Sequence, residues 1–403
     1  MPGRILCFQG EPMRSLYILR SGSVEVFYNE PADAPLDAEK VERLGQRLAV
    51  LRGEGELVGE MGALLSVRTA TLRAGPDGAV LQSIPLTRDT LEKAIESKRS
   101  LGVSIARTLA RRLSGNNDRM RELLRLARKI DGKASEHARK FYELIEQTAG
   151  VFAGAPPVKK MVDAGRATRS WSRGREAAHS PTIEPLTRRV EMDQRVRPEQ
   201  ITAQGDLGAL IDTPPPAIRE IEPDVVLFRR GDRGAEFYIV LEGEIQVELE
   251  NRQIFLIEKG GIVGEMAVLL DEEIRTATVR ALQKSRLLAV TREKFQAMVE
   301  ERTWILLRVV RILAQRLRNS NEALVRNKKE IASALEGLFG AGPNLARDYG
   351  TFADRVKRLA SSDVLEILLH ELEKEHQAIL SDREEFSREL AAAWETAAGS
   401  ETR

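Results

Sequence analysis

Gly261-Ile262-Val263-Gly264-Glu265-Met266-Ala267-Val268-Leu269-Leu270, followed at a short distance by Arg275-Thr276-Ala277-Thr278-Val279, decides how this chain is read. A glycine-bounded strand end runs into a short apolar turn of helix, then a loop, then an arginine that opens a new strand. The first N–H groups of a helix lack partners within it and favour an anion. Arg275 adds a planar, permanently charged fork suited to phosphate oxygens. Glu265, an acceptor, is placed to take a hydrogen bond from a sugar hydroxyl. Together they describe a pocket for a small phosphate ester bearing a ribose. The competing expectation is an empty fold in which Arg275 salt-bridges Glu265 or Glu272.

Working outward, the same segments occur earlier in the same order. Tyr17-Ile18 and Ser21-Gly22-Ser23-Val24-Glu25-Val26 return as Tyr238-Ile239 and Glu242-Gly243-Glu244-Ile245-Gln246-Val247. Val58-Gly59-Glu60-Met61 returns at Val263, and Arg68-Thr69-Ala70-Thr71 at Arg275. Leu109-Ala110-Arg111-Arg112-Leu113 returns as Leu313-Ala314-Gln315-Arg316-Leu317. Ordered repeats of this kind mean one domain copied. Each copy passes from strands into helices. Apolar alternation at Ser23–Tyr28 gives way, from Leu91, to a stripe of period 3.6 through Ile95, Leu101, Ile105, Leu109 and Leu113. Further helical runs cover Leu123–Ile130 and Ala134–Thr148. A charged loop between Asn29 and Leu48 lengthens the first copy.

This pattern predicts four regions: a first domain with trailing helices (1–149), a flexible linker (150–216), a second domain (217–321) and a helical tail (322–403). The linker is rich in Pro, Arg and Ala, and Lys159, Lys160, Arg166, Arg169, Arg173 and Arg175 make its first part basic. A solvated tether is expected there. In the tail, Leu365, Leu372, Ile379 and Phe386 recur at heptad spacing, with Leu369, His376 and Leu390 on the flanking stripe. Such a stripe fits packing on the protein's own helices and fits a homodimer through C-terminal helices equally well.

Composition narrows the function classes. Among 403 residues, Lys+Arg number 62 and Asp+Glu 61, so no global charge draws the chain to nucleic acid or an anionic membrane. Cys7 is the only cysteine, which excludes an internal disulfide and a multi-cysteine zinc site. His137, His179, His370 and His376 are scattered, and no metal site is expected. No apolar run nears the roughly 18–20 residues that span a bilayer, and no signal-peptide core is visible, so a reducing cytoplasmic setting is expected. Walker, HExxH and Gly-x-Ser-x-Gly motifs are missing, so no enzyme is expected. From Ser361 to Leu390 the tail is Glu-rich, which speaks against DNA as a partner.

The pattern Gly-Glu-x-Ala-x-Leu … Arg-Thr-Ala-Thr-Val resembles the phosphate-binding cassette of the cyclic nucleotide-binding domain family. Leu227-Phe228-Arg229-Arg230-Gly231-Asp232, Phe237–Val247 and Ala314-Gln315-Arg316-Leu317 are similar to other segments of that family, which covers the second copy from about Ile218 to Asn321. The resemblance implies an α+β fold with two jelly-roll-like β-rolls, flanking helices and an all-α C-terminal extension. It implies cyclic AMP or cyclic GMP as ligand. Gly264 and the backbone of Met266 and Ala267 would cradle the phosphate, Arg275 would pair with it, and Glu265 would bind the ribose 2′-hydroxyl. Thr276 would touch phosphate or base, and Ser320 and Asn321 fall where some relatives meet the base edge.

The first copy supplies a second candidate site at Gly59, Glu60, Met61, Arg68 and Thr69, with Asn116 and Asn117 at its base-facing helix positions. Arg68 follows Glu60 two residues sooner than Arg275 follows Glu265, which predicts that Arg68 stops short of the phosphate position. The chain opens at Met1-Pro2-Gly3, inside the family's first strand turn, so the helix usual before it is expected to be missing or the start site misassigned. The functional expectation is a regulator in which ligand closes a helix over the second roll and signals to the tail or to an unidentified protein partner. Alternatives are a catabolite-activator-like transcription regulator and a scaffold of degenerate rolls.

Overall fold

The computed structural model describes residues 2–30, 36–152, 155–179, 185–190, 218–249, 252–270, 274–340, 344–359 and 363–395. The chain forms two units, one from both repeats with the starts of their long helices (up to 121, and 192–325), the other from residues 122–191 and 326–394.

In the first repeat, β1 (Ile5–Cys7), β2 (Ser15–Tyr28), β3 (Gln46–Arg52), β4 (Leu57–Val58) and β5 (Thr71–Pro85) make one antiparallel sheet in the order β1-β5-β2-β3, with β4 also on β2. Strands β2 and β5 pair from Ser15↔Pro85 to Phe27↔Thr71, with register shifts at Leu19/Ser21 and Gly22/Val24. Such irregularities bend a strand and increase its twist, so one long ribbon can serve both walls of a roll. Inside the charged loop lies helix α1 (Ala38–Leu44), started by Asp37, whose carboxylate accepts from the Lys40 N–H at 2.8 Å. After β4 comes α2 (Glu60–Leu65), and after β5 come α3 (Arg88–Ser97), with a Thr87–Thr90 capping box, and α4 (Arg99–Val151). The three helical runs expected from the periodicity are therefore two helices, the second 53 residues long.

The expected linker is corrected over much of its length. Residues 156–189 hold three helices, α5 (Pro156–Arg166), α6 (Arg169–His179) and α7 (Pro185–Arg189), which bury Val158, Met161, Val162, Ala177 and Leu186 in the second unit. Most of its basic residues mislead because they lie on outer faces: Lys159, Lys160, Arg166, Arg169 and Arg175 are exposed, Arg173 alone of the six turning toward the buried Asp131 at 4.0 Å. Residues 191–217 lie outside the described part.

The second repeat separates the two walls. Strands β6 (Ile218–Ile221), β7 (Val226–Phe228), β8 (Glu236–Glu242), β9 (Ile245–Leu249), β10 (Arg252–Ile257), β11 (Ile262–Val263), β12 (Thr278–Ala281) and β13 (Ser285–Thr291) form sheets β10-β9-β12-β7 and β11-β8-β13-β6. Helix α8 (Glu265–Leu269) follows β11, and α9 (Arg292–Glu301) and α10 (Thr303–Phe339) follow β13.

Helices α4 and α10 lie side by side at the heart of the first unit. Arg99 Nε donates to Thr303 Oγ1 at 3.3 Å, and Asn116 Nδ2 donates to Asn321 Oδ1 at 2.7 Å. A Cβ on Gly102 would stand 2.6 Å from Leu306 Cδ2, so the glycine permits a close crossing. These pairs keep nearly the offset that separates the repeats, hence the helices run parallel and in register. Ile105, Leu109 and Leu113 join Leu306, Val310, Leu313 and Leu317 in one apolar core that also takes Leu16, Met61, Ile239 and Met266 from the rolls. Each fully buried side chain of this kind contributes about 1.5–3 kcal/mol.

The second unit packs the later parts of α4 and α10 with α5, α6, α7, α11 (Leu345–Leu359) and α12 (Asp363–Glu395). Leu365, Leu372, Ile379 and Phe386 are all buried there, so the heptad stripe of the tail is covered by the protein's own helices. Phe141 packs on Tyr349 and Phe352 at ring separations of 4.8 and 5.8 Å. Asp131 accepts from the Leu186 N–H at 3.1 Å and from the Thr187 N–H and hydroxyl at 2.7 and 2.8 Å, capping α7 from outside.

Candidate functional site

The turn at residues 229–232 sets the arginine. Asp232 closes it by accepting the Arg229 N–H at 2.7 Å on its side chain. The same turn then grips Arg275 by its backbone: Arg275 N–H donates to Asp232 O at 2.9 Å, and Gly231 N–H donates to Arg275 O at 2.9 Å. The side chain is thereby aimed inward. Its Nη1 donates to Glu236 O at 2.6 Å and Gly264 O at 3.2 Å, and its Cζ sits 4.1 Å from the centre of the Phe228 ring. Arg275 is 4% exposed, and its Nε has no hydrogen-bond partner among the described residues. No described carboxylate pairs with it; Glu272 lies outside the described residues. Burial pulls its pKa below the ordinary arginine value.

Gly264 is left-handed (φ 82), and a Cβ there would stand 2.6 Å from Arg275 Nη1. Glycine is thus required twice, by conformation and by the approach of the guanidinium. It leads into α8, whose five residues are too few for a sizeable dipole, and no side chain caps its start. Glu265 is 2% exposed and meets Arg316 of α10, Nη1 to Oε1, at 2.6 Å. Thr276 donates its hydroxyl to Met266 Sδ at 3.3 Å.

Gly264, Glu265, Met266, Ala267, Arg275 and Thr276 line one cavity that opens to solvent. The expected cluster is therefore brought together, and Arg275 and Glu265 face the same space. Two expectations fail in detail. Arg275 does not pair with Glu265, because Arg316 reaches that carboxylate first. Ser320 and Asn321 do not line the cavity: Ser320 is fully buried and Asn321 is bonded to Asn116. From the long helices the cavity is lined instead by Arg316 and by Asn117, which the sequence placed in the first site. Parallel pairing of α4 and α10 brings each helix against the other repeat, which no local pattern discloses. Arg316 and Phe228 were also missed as site residues. The signal for Arg316 was an arginine kept at the same place in both Leu-Ala-x-Arg-Leu segments.

The first repeat reproduces the arrangement. Gly10 N–H donates to Arg68 O at 2.8 Å and Arg68 N–H to Glu11 O at 2.9 Å, matching the clamp on Arg275. Arg68 Nη2 donates to Ser15 O at 2.6 Å, its Cζ lies 5.3 Å from the Tyr17 ring centre, and its Nη1 fills the place of a Gly59 Cβ. The expectation that Arg68 falls short is corrected. Ser66, left-handed at φ 68, turns the chain directly after α2, so fewer loop residues deliver the arginine to the same position. Glu60 pairs with Arg112, which also donates to Glu56 at 2.6 Å and Leu57 O at 2.8 Å. Thr69 Oγ1 lies 3.9 Å from Met61 Sδ. Glu60 Oε2 and Arg68 Nη1 are buried without partners among the described residues.

The model of the cyclic nucleotide-binding domain matches residues 1–97 and 218–302. The cyclic AMP receptor protein of Thermus thermophilus is 30% identical over 154 residues, 33% of this chain and 70% of that protein. The Pycsar effector protein PaPycTIR of Pseudomonas aeruginosa is 31% identical over 108 residues, 27% of this chain and 35% of the effector, so this chain spans only about a third of that relative. A solved EAL enzyme, in its half-site-occupied form, is 32% identical over 26% of this chain and 98% of its own, with a TM-score of 0.22.

Proposed function

Because this chain belongs to the cyclic nucleotide-binding domain family, we propose that it is a non-catalytic regulator that senses a cyclic nucleotide, cyclic AMP or cyclic GMP, in its second roll. The observation that carries this is Arg275, a buried guanidinium with no described carboxylate partner, standing over the glycine that opens the cassette. An unpaired buried charge is costly, and a phosphate arriving there relieves the cost. Glu265 takes the ribose hydroxyl, and the first N–H groups of α8, which have no partner within a helix, take the remaining phosphate oxygens. The first roll, with the same clamp around Arg68, holds a second site.

Signal transfer runs through α10. Arg316 ties that helix to Glu265, so a ligand that draws Glu265 toward its ribose shifts the helix, by as much as its affinity differs between the two positions. The same helix continues into the second unit, which presents the response to a protein partner. Among the described residues no helix is long and apolar enough to cross a membrane. Isothermal titration of the full chain with cyclic AMP and cyclic GMP tests the proposal: binding at micromolar level or tighter is expected, with the second-roll site lost in Arg275→Ala. No heat with either nucleotide ends it.

A further inference from the structure

Helix α12 turns Leu365, Leu372, Ile379 and Phe386 into the second unit, and at the edge of that stripe it carries two carboxylates, Glu375 and Asp382, two turns apart. Both reach the same side chain of α4. His137, 3% exposed, has Nδ1 2.6 Å from Glu375 Oε1 and Nε2 2.9 Å from Asp382 Oδ2. An ionised carboxylate only accepts, and a neutral imidazole has a single N–H. With one proton on the ring, one nitrogen would turn its lone pair on a carboxylate oxygen in a buried site. Two protons remove that clash and bond both oxygens. Lys140 Nζ donates to Glu375 Oε2 at 2.7 Å and lies 3.5 Å from Glu371 Oε2, which favours ionised carboxylates and leaves the ring to carry the extra proton. Around them, Lys133 of α4 pairs with Glu136 at 3.1 Å, Tyr349 of α11 donates to His137 O at 2.8 Å, and the uncharged Phe339 ring of α10 meets the imidazole edge-on at 6.3 Å.

We propose that one proton on His137 clasps α12 to α4, so that the second unit responds to proton concentration: α12 is held while both ring nitrogens donate and loosens once the proton leaves. The apolar stripe is indifferent to pH, and the clasp is the part of the contact that changes. Losing the proton strands a buried carboxylate opposite a lone pair, a cost that release of α12 into water relieves. Burial works against the imidazolium, but the hydrogen bonds to Glu375 and Asp382 outweigh it and hold its pKa above the ordinary 6.5. The clasp is therefore complete below pH 6.5 and is lost as pH rises through the raised value. Glu375, held down to about 2 chiefly by its bond to His137, stays charged across that range. This input stands apart from both rolls and does not rest on the nucleotide reading.

The test uses the full chain without nucleotide. Nitrogen NMR of the histidine rings, with the His137 signals identified by their loss in His137→Gln and their displacement in Asp382→Asn, should show both nitrogens protonated at pH 6.5 and the second proton leaving only at higher pH. Amide exchange of residues 363–395, corrected for the intrinsic pH dependence of exchange, should show α12 opening up to about tenfold more often per pH unit above 6.5, then levelling off. Residues 156–166 of α5 should show no such step. Asp382→Asn keeps the size of the side chain and lets an amide donate to Nε2, so the step should vanish while α12 stays docked; this variant carries the test if His137→Gln does not fold. A ring with one proton at pH 6.5, an opening of α12 that ignores pH, a step of equal size in α5, or a step that survives Asp382→Asn overturns the clasp. Absence of nucleotide binding overturns the reading of the rolls and leaves these outcomes unaffected.

Discussion

Arg316 Nη1 and Glu265 Oε1 stand 2.6 Å apart, both buried, one on the long helix of the second repeat and one at the first turn of the cassette. The pair fastens the element that would hold a ligand to the element that would move. Its counterpart, Arg112 with Glu60, fastens the first repeat in the same way.

Removing one member of such a buried pair strands the other. Arg316→Ala is expected to destabilise the chain by about 3–5 kcal/mol. Arg316→Met with Glu265→Gln should recover much of that loss while leaving nucleotide affinity low, because the carboxylate acceptor for the ribose is gone. Urea denaturation and calorimetric titration of the two variants read these effects separately. Full recovery of binding in the double variant contradicts the role given to Glu265.

The left-handed glycine should be equally demanding. Gly264→Ala places a Cβ 2.6 Å from Arg275 Nη1 at φ 82, and a loss of about 1–3 kcal/mol of stability follows from the backbone alone. Displacement of the guanidinium should weaken nucleotide binding further, seen as a loss of ligand-induced thermal shift.

If both rolls hold ligand, calorimetric stoichiometry should approach two nucleotides per chain. Arg68→Ala should reduce it to one, and Arg275→Ala should remove the other. An unchanged stoichiometry in Arg68→Ala places the first roll outside the ligand response, whatever its geometry.

In the second unit, His137 of α4 lies 3% exposed between Glu375 Oε1 at 2.6 Å and Asp382 Oδ2 at 2.9 Å of α12, with Tyr349 of α11 donating to its backbone carbonyl at 2.8 Å. Burial by itself lowers the His137 pKa, but the hydrogen bonds to the two carboxylates outweigh it and leave the value raised. Glu375 is held down to about 2, chiefly by its hydrogen bond to His137, with Lys140 assisting against burial. A raised histidine contributes its stability in full below the ordinary value of 6.5 and loses it as pH climbs through the folded value. Glu375 does the reverse, contributing in full above 4.5 and losing it as pH falls toward about 2. Thermal melts should therefore show the advantage of wild type over His137→Gln largest between about pH 4.5 and 6.5 and shrinking on the alkaline side. An advantage independent of pH contradicts a charged His137.

Asp131 caps α7 with three hydrogen bonds, at 2.7–3.1 Å. Asp131→Ala should cost about 3 kcal/mol, measured by urea denaturation, and should open residues 185–190 to amide exchange.

Much of the chain was legible without coordinates. Glycine at positions 59 and 264, acid at 60 and 265, and arginine at 68 and 275 are demands made within a few residues of one another, by a tight turn, a short helix and an anion. Period-two and period-3.6 patterns likewise report only which face of a segment is covered. Such local requirements write themselves into local sequence, so the duplicated α+β roll, the helical tail and the cassette were all visible there. What covers each face is a different matter, settled by segments far apart in the chain. The basic run from Lys159 to Arg175 reads as a tether until α11 supplies Phe352 beside Gly165, a close approach in which a Cβ would meet the ring at 3.1 Å. Asn117 reads as a first-roll residue until parallel pairing of α4 with α10 turns it into the second cavity. Composition and spacing determined the parts and their chemistry; tertiary packing alone decided which repeat completes which site, because apolar helix faces are interchangeable in sequence and become specific only when steric fit selects their partners.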